Sequence, residues 1–153
     1  MPSWELFSES TILENLTAAT KDDVFAAMLD CLVQSKQIRK TDVGPLKTRL
    51  REREKLATTG IGHGVAVPHI RAPQVKKVQV CLARALAGVE FQAPDGQKVN
   101  TIFMILAPME QTEEHIQLLR WISGLGRDQD FRRFLLAARS RAEILALLKE
   151  KCA

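Results

Sequence analysis

Residues 99–106, VNTIFMIL, are apolar almost without interruption after their first three positions. A strand with one wet face alternates polar and apolar side chains, and this run does not alternate. It therefore suits a strand covered on both faces. The covering elements have to come from the rest of the chain, and helical patterns stand on either side of the run. The chain's 153 residues suit one domain with one core, spanning 1–153. Helices before and after several short strands point to an α/β layered domain.

The elements can be placed from their ends. Residues 1–20 read as a lead-in, with room for a short strand or turn between Ser8 and Leu16. Thr20, with Asp23 three residues on, predicts an N-cap followed by an acidic first turn. Val24, Ala27, Met28, Cys31 and Leu32 then share a helical face up to about Gln34–Lys36. Asp42 is a candidate cap for a second helix from Val43 to Leu56, with Pro45 in its first turn. Val65-Ala66-Val67 and Val78–Ala85 read as strands, and Ala93-Pro94-Asp95-Gly96 as a turn. Thr112 is a cap candidate for a third helix that Gly124 and Gly126 should weaken or close. Asp128 caps a fourth, and the Ser140/Glu143 pair marks the start of a fifth.

Composition excludes several classes of function. Aromatic residues make up 5% and there is no Tyr, which argues against a stacking platform for single-stranded nucleic acid. The net charge of +4 is mild, and the basic residues Arg49, Arg51, Arg53 and Lys55 are interleaved with Glu52 and Glu54. No nucleic-acid stripe follows from that pattern. The three cysteines, Cys31, Cys81 and Cys152, have no CxxC spacing. Cys31 and Cys81 read as small core hydrophobes, and neither a disulfide framework nor a zinc site is expected. No leader-like segment and no long apolar span is evident, so the expectation is a cytoplasmic protein without membrane insertion.

Chemistry concentrates in TTGIGHGVAVPH, residues 58–69, which holds three glycines and two of the three histidines. The pattern is neither GxGxxG nor a GK[ST] loop, so it is no nucleotide fingerprint. His69 follows a short strand, and His115 falls in the first turn of the helix after the apolar run. Strand ends and helix starts are places where polar groups from distant parts of a chain meet. An imidazole is a good nucleophile near neutral pH. A phosphoryl group on it would need donors, which backbone N–H groups and a guanidinium supply. Taken singly, a histidine near a strand end is more often structural than catalytic. A three-histidine metal site from His63, His69 and His115 lacks both an HExxH spacing and a carboxylate in the cluster.

The stretch REKLATTGIGHGVAVPH, residues 53–69, resembles the active-site segment of enzyme IIA domains of the phosphoenolpyruvate:sugar phosphotransferase system. The likeness is to the fructose/mannitol type, including its nitrogen-regulatory branch. GVEFQAPDGQKVNTIFMILAP, residues 88–108, and the tail DQDFRRFLLAARSRAEILALL are similar to further segments of the same family in the same order. The resemblance implies a mixed β-sheet sandwiched between helices. It implies His69 as the phosphoacceptor, His115 as the group that stabilises the phosphoryl, and Arg53 as a balancing charge. Thr59, Gly60, Gly62, His63 and Gly64 would form the phosphate-binding loop. The implied donor is an HPr-like phosphocarrier protein, and no metal or cofactor is implied. The phosphoryl group would pass to a IIB component in sugar uptake, or its presence would regulate a partner such as a kinase or transporter. A regulatory binding module that kept the fold without phosphorylation is the alternative.

Two positions depart from the family pattern. His63 stands where Asn is common in the nitrogen-regulatory branch, and reads either as a solvated loop residue or as a pH-sensitive one. Ile70 stands where glycine usually follows the phosphoacceptor. An isoleucine there is expected to reshape the rim of the site. Arg71 replaces a lysine often found nearby and is either an exposed charge or an attraction for an acidic or phosphorylated partner.

Overall fold

The computed structural model describes residues 3–110 and 112–152. Its centre is the apolar run, which forms β6 (Val99–Ala107). Every residue of β6 except Asn100 is buried. Alternate side chains feed two cores. Ile102, Met104 and Leu106 pack with one cluster, while Phe103 and Ile105 pack with the other.

β5 (Gln79–Val89) pairs antiparallel with β6 along most of its length, from Gln79 opposite Leu106 to Val89 opposite Val99. It outruns the expected end at Ala85 because a register shift after Arg84 re-forms the ladder at Val89. On its far side lies β1 (Ile12–Leu13), parallel to β5, the short strand allowed for in the lead-in. On the other side of β6 stand β3 (Val65–Ala66) and β4 (His69–Arg71), both parallel to it. β2 (Gly60–Gly62) forms an antiparallel edge on β3. The sheet order is β1-β5-β6-β3-β2, with β4 also on β6, so the sheet is mixed.

Helices cover both faces. α1 (Lys21–Gln34) and α2 (Val43–Leu56) close one side, with Phe25, Leu29, Leu46 and Leu50 at 1% exposure or less. α3 (Glu113–Arg127), α4 (Gln129–Ala137) and α5 (Arg141–Cys152) close the other through Leu118, Ile122, Phe131, Ile144 and Leu148. Arg84 of β5 fastens this second layer. Its guanidinium, 4% exposed, donates to the carbonyls of Glu14, Leu135 and Ala138. The carbonyls at the end of α4 carry partial negative charge, which suits a buried cation.

The local signals held where a side chain meets a backbone donor. Thr20 accepts from Asp23 N at 3.1 Å, Thr112 from His115 N at 3.2 Å, and Asp128 from Phe131 N at 3.0 Å. Ser140 accepts from Glu143 N at 3.1 Å. Asp42 departs from expectation and caps nothing. A 3-10 turn over Lys40–Asp42 runs straight into α2, so Asp42 has helical backbone angles and its carboxylate pairs with Arg39 instead. Gly124 and Gly126 do not end α3, which continues to Arg127. Gly126 lies where a Cβ would meet Ile61 Cδ1 at 2.9 Å, so the hairpin β2–β3 packs on the helix backbone there. Val67 leaves the strand after Ala66, and its N–H bonds to the carbonyl of Thr59 at 2.9 Å.

Candidate functional site

α2 brings four residues to one side at helical spacing: Arg49, Glu52, Arg53 and Leu56. Arg53 Nη1 donates to the carbonyl of Ala57 at 2.8 Å, which satisfies an orphan acceptor at the helix end. Arg49 Nη1 donates to the carbonyl of Arg71 at 3.0 Å and so ties α2 to the end of β4.

β4 starts, rather than follows, at His69. The carbonyl of Pro68 receives Ile105 N, and His69 pairs with Ile105 of β6. Strand alternation then sends Ile70 to one face and His69 with Arg71 to the other. Ile70 is 8% exposed and packs in the core beneath α1 and α2. Most of its side chain is core, and its remaining surface lines the cleft that His69 borders. The backbone at position 70 is ordinary strand without a positive φ, so no glycine is required there.

His69 is half-buried, and its Nδ1 lies 2.8 Å from the carbonyl of Val67. A carbonyl only accepts, so Nδ1 carries the proton in this bond. The other ring nitrogen, Nε2, then holds the lone pair. His115 comes from the first turn of α3, and its residue is 4% exposed. Neither of its ring nitrogens has a hydrogen-bond partner among the described residues. Burial, followed by the charges of His69 and Arg71, holds its pKa below the ordinary 6.5. The neutral form of the ring is thereby favoured, and its one N–H is unpaired.

These groups border one cleft of about 590 Å³, lined by His69, Ile70, Arg71, His115, Arg49, Glu52 and Arg53, with Leu56 and Met109 at its edge. Three guanidiniums stand against one carboxylate. The N-terminus of α3 adds the positive end of a helix dipole. An anion of phosphate size suits this environment, and an imidazole nitrogen is present to bond with it. No group of three or more His, Cys, Asp or Glu residues capable of holding a metal occurs among the described residues.

The glycine-rich loop does not line the cleft. Thr59 N and Oγ1 both donate to Glu54, at 3.0 and 2.6 Å, and Gly60 N donates to Thr58 Oγ1. Gly62 closes β2, and the carbonyl of Gly64 accepts from Asn100 and Thr101. His63 is exposed at φ 58°, with its N–H on Asp95 Oδ2 at 2.9 Å. That left-handed conformation is one that Asn also tolerates. These residues build the hairpin that leads the chain to His69. The cleft residues missed from sequence are Arg49, Glu52, Leu56 and Met109. Arg49 and Leu56 lie one helical turn either side of Arg53, which is the spacing that could have found them.

Comparison with known proteins agrees with this architecture. Residues 5–151 match the family described as phosphoenolpyruvate-dependent sugar phosphotransferase system, EIIA 2. The chain is 32% identical over 148 residues to a nitrogen regulatory protein of Bradyrhizobium diazoefficiens, covering 97% of this chain and 95% of that one. It is 35% identical over 132 residues to the fructose-specific EIIA component of Haloferax volcanii, covering 86% and 84% of the two chains. The crystal structure of the nitrogen regulatory protein IIA-Ntr from Neisseria meningitidis superposes with a TM-score of 0.85 at 32% identity, over 95% of this chain and 97% of that one. A mixed sheet between helices, a cationic histidine cleft and these likenesses together make the chain a member of the EIIA 2 family of the sugar phosphotransferase system.

Proposed function

We propose that the protein is a phosphoryl carrier that accepts a phosphoryl group on Nε2 of His69 from an HPr-like phosphocarrier protein. The observation that carries this reading is the bond between His69 Nδ1 and the Val67 carbonyl, 2.8 Å long, at the mouth of a cationic cleft. It orients the ring and leaves the Nε2 lone pair facing outward chemistry. Nε2 attacks the phosphorus of a phosphohistidine on the donor. A new N–P bond forms while the donor's N–P bond breaks, and the donor imidazole leaves with the electron pair. The His69 ring then carries positive charge, which its Nδ1–H shares with the Val67 carbonyl.

His115 presents its unpaired N–H to the transferred oxygens, and Arg53 offsets their charge. Donors and fixed charge placed beside the developing negative charge are the useful form of electrostatic stabilisation. Phosphorylation adds about −1.5 to −2 charge. Set against three guanidiniums and one carboxylate, that changes the character of the whole face. A IIB component could take the phosphoryl group onward, and a regulated kinase or transporter could read the charge. Relatives bearing both the nitrogen-regulatory and the fructose-specific names support keeping both outlets in one account. The alternative, a binding module that kept the fold without transfer, rests on Ile70 beside His69 in the cleft, and the transfer experiment below separates the two.

The test is phosphorus and nitrogen NMR of the protein after incubation with a phosphorylated HPr-like donor. The expected product carries its phosphoryl on Nε2 of His69. Attachment to Nδ1, or to His63 or His115, would overturn the assignment. Arg53→Ala should slow transfer by roughly 10²-fold while leaving the attachment site unchanged.

A further inference from the structure

Two free thiols lie together in the core, and phosphoryl transfer uses neither. Cys31 stands in the last turn of α1 and Cys81 in β5. α1 packs against β5, and strand alternation turns Cys81, with Ala83, into the cluster beneath that helix. The Cys81 thiol donates a hydrogen bond to the Cys31 sulfur. The Cys31 thiol in turn donates to the carbonyl of Ser10 at 3.3 Å.

Their surroundings differ. Cys81 is 0% exposed. Cys31 is 8% exposed and forms part of the wall of a cleft of about 300 Å³, bounded by the end of α1, the Glu9–Thr11 turn and the start of α5. Arg141 stands on the same wall. The bond from Cys81 comes first in holding the Cys31 thiol below its ordinary range; burial opposes it, the Arg141 charge supports it and the Asp30 charge opposes it. The same bond, with burial, holds the proton on Cys81. One thiol is thus disposed to ionise beside a solvent cleft, and the other keeps its proton behind it. A pair that only filled space would need neither the cleft nor the cation.

We infer that Cys31 and Cys81 form a peroxide-sensitive modification site, in which Cys31 is oxidised first and Cys81 closes a reversible disulfide. The Cys31 thiolate attacks one oxygen of a hydroperoxide such as hydrogen peroxide. An S–O bond forms and the O–O bond breaks, so that the sulfur is oxidised to a sulfenic acid and the peroxide is reduced, its other oxygen leaving as hydroxide. The Cys81 sulfur then attacks the Cys31 sulfur. An S–S bond forms, the S–O bond breaks, and the departing hydroxide takes the Cys81 proton and leaves as water. A dithiol reverses the bond and departs as its own disulfide. The cross-link joins α1 to β5 and closes a covalent loop that contains α2 and β4, hence Arg53 and His69. Its chemistry does not pass through His69, so it stands independently of phosphoryl transfer.

The test is exposure of the full chain to hydrogen peroxide, followed by alkylation of the remaining thiols in denaturant and peptide mapping without reductant. Cys31 and Cys81 should escape alkylation and appear as one cross-linked peptide, lighter by two hydrogens than its separated parts. Dithiothreitol should restore both thiols. Cys81→Ala should instead accumulate a dimedone-reactive sulfenic acid on Cys31, and Cys31→Ala should slow oxidation at Cys81 by at least about tenfold. His69→Ala should oxidise as the wild type does. The wild-type peptide map is decisive even where a core variant fails to fold. Both thiols still alkylated after peroxide, oxidation of Cys31 without a bond to Cys81, or a disulfide that uses Cys152 in place of either would overturn the assignment.

Discussion

His69 and His115 are the same residue type in opposite conditions. His69 has one nitrogen committed to a carbonyl and one available. His115 is buried with both nitrogens unpaired, and its pKa lies below 6.5. That depression has a consequence for stability. In the unfolded chain His115 takes up a proton as pH falls through 6.5, while the folded chain resists until a lower pH. The contribution is thus fully present above pH 6.5 and is lost as pH falls toward the depressed value. Urea midpoints of the wild type should fall between pH 7.5 and 5.5 by more than those of His115→Gln. Equal pH dependence in the two proteins would remove the argument. Phosphorylation of His69 should reverse the effect, since a neighbouring anion favours the protonated ring. His69 and His115 could both be named from sequence because motif and helix start are local. Their shared cleft could not, since it depends on parallel pairing of β4 with β6 across some thirty-five residues of chain.

Elements with a backbone donor beside a capping side chain were legible, and those set by packing were not. Thr20, Thr112 and Asp128 behave as local chemistry dictates. Asp42 fails because a preceding 3-10 turn already supplies helical geometry. The two glycines of α3 mislead because intrinsic preference is weak beside burial of an amphipathic face. They also differ from each other. A Cβ at Gly124 would meet nothing within 4 Å, whereas one at Gly126 would press on Ile61 Cδ1 at 2.9 Å. Gly124→Ala should stabilise the protein by about 1 kcal/mol. Gly126→Ala should gain clearly less, since the same propensity is offset by displacement of Ile61. Chemical denaturation of the two variants under one set of conditions distinguishes them, and equal gains would show that the β2–β3 hairpin does not press on α3. Sequence placed the phosphate-binding role on the glycine-rich loop because a motif marks a stretch and not the atoms within it. In the fold, its N–H groups at Thr59, Gly60 and His63 already have partners.

At the scale of the whole molecule, the two-sided strand β6 explains the layered fold and the location of the site. β4 runs parallel to β6 with His69 beside Ile105, near the end of β6, and the chain leaving β6 leads to His115, so both histidines come to the same end of the sheet. No described helix is long and apolar enough to cross a membrane. The face around the histidine cleft carries exposed apolar side chains. Leu56 is 83% exposed and Met109 52%, and both edge the cleft among arginines. Apolar groups beside charges are what a transient partner interface uses. Leu56→Asp should therefore reduce kcat/KM for transfer from the phosphorylated donor by roughly tenfold, with an unchanged circular dichroism spectrum. A small chemical phosphoryl donor should react equally with wild type and variant. A loss with the small donor as well would place Leu56 in the chemistry rather than the docking.

The central claim is that His69 receives the phosphoryl group. Intact-mass spectrometry at neutral pH, after mixing with a phosphorylated HPr-like protein, tests it most directly when His69→Ala is run alongside. One acid-labile phosphoryl group is expected on the wild type and none on the folded variant. An unmodified wild type in the presence of an active donor, or a variant labelled as fully as the wild type, would contradict it.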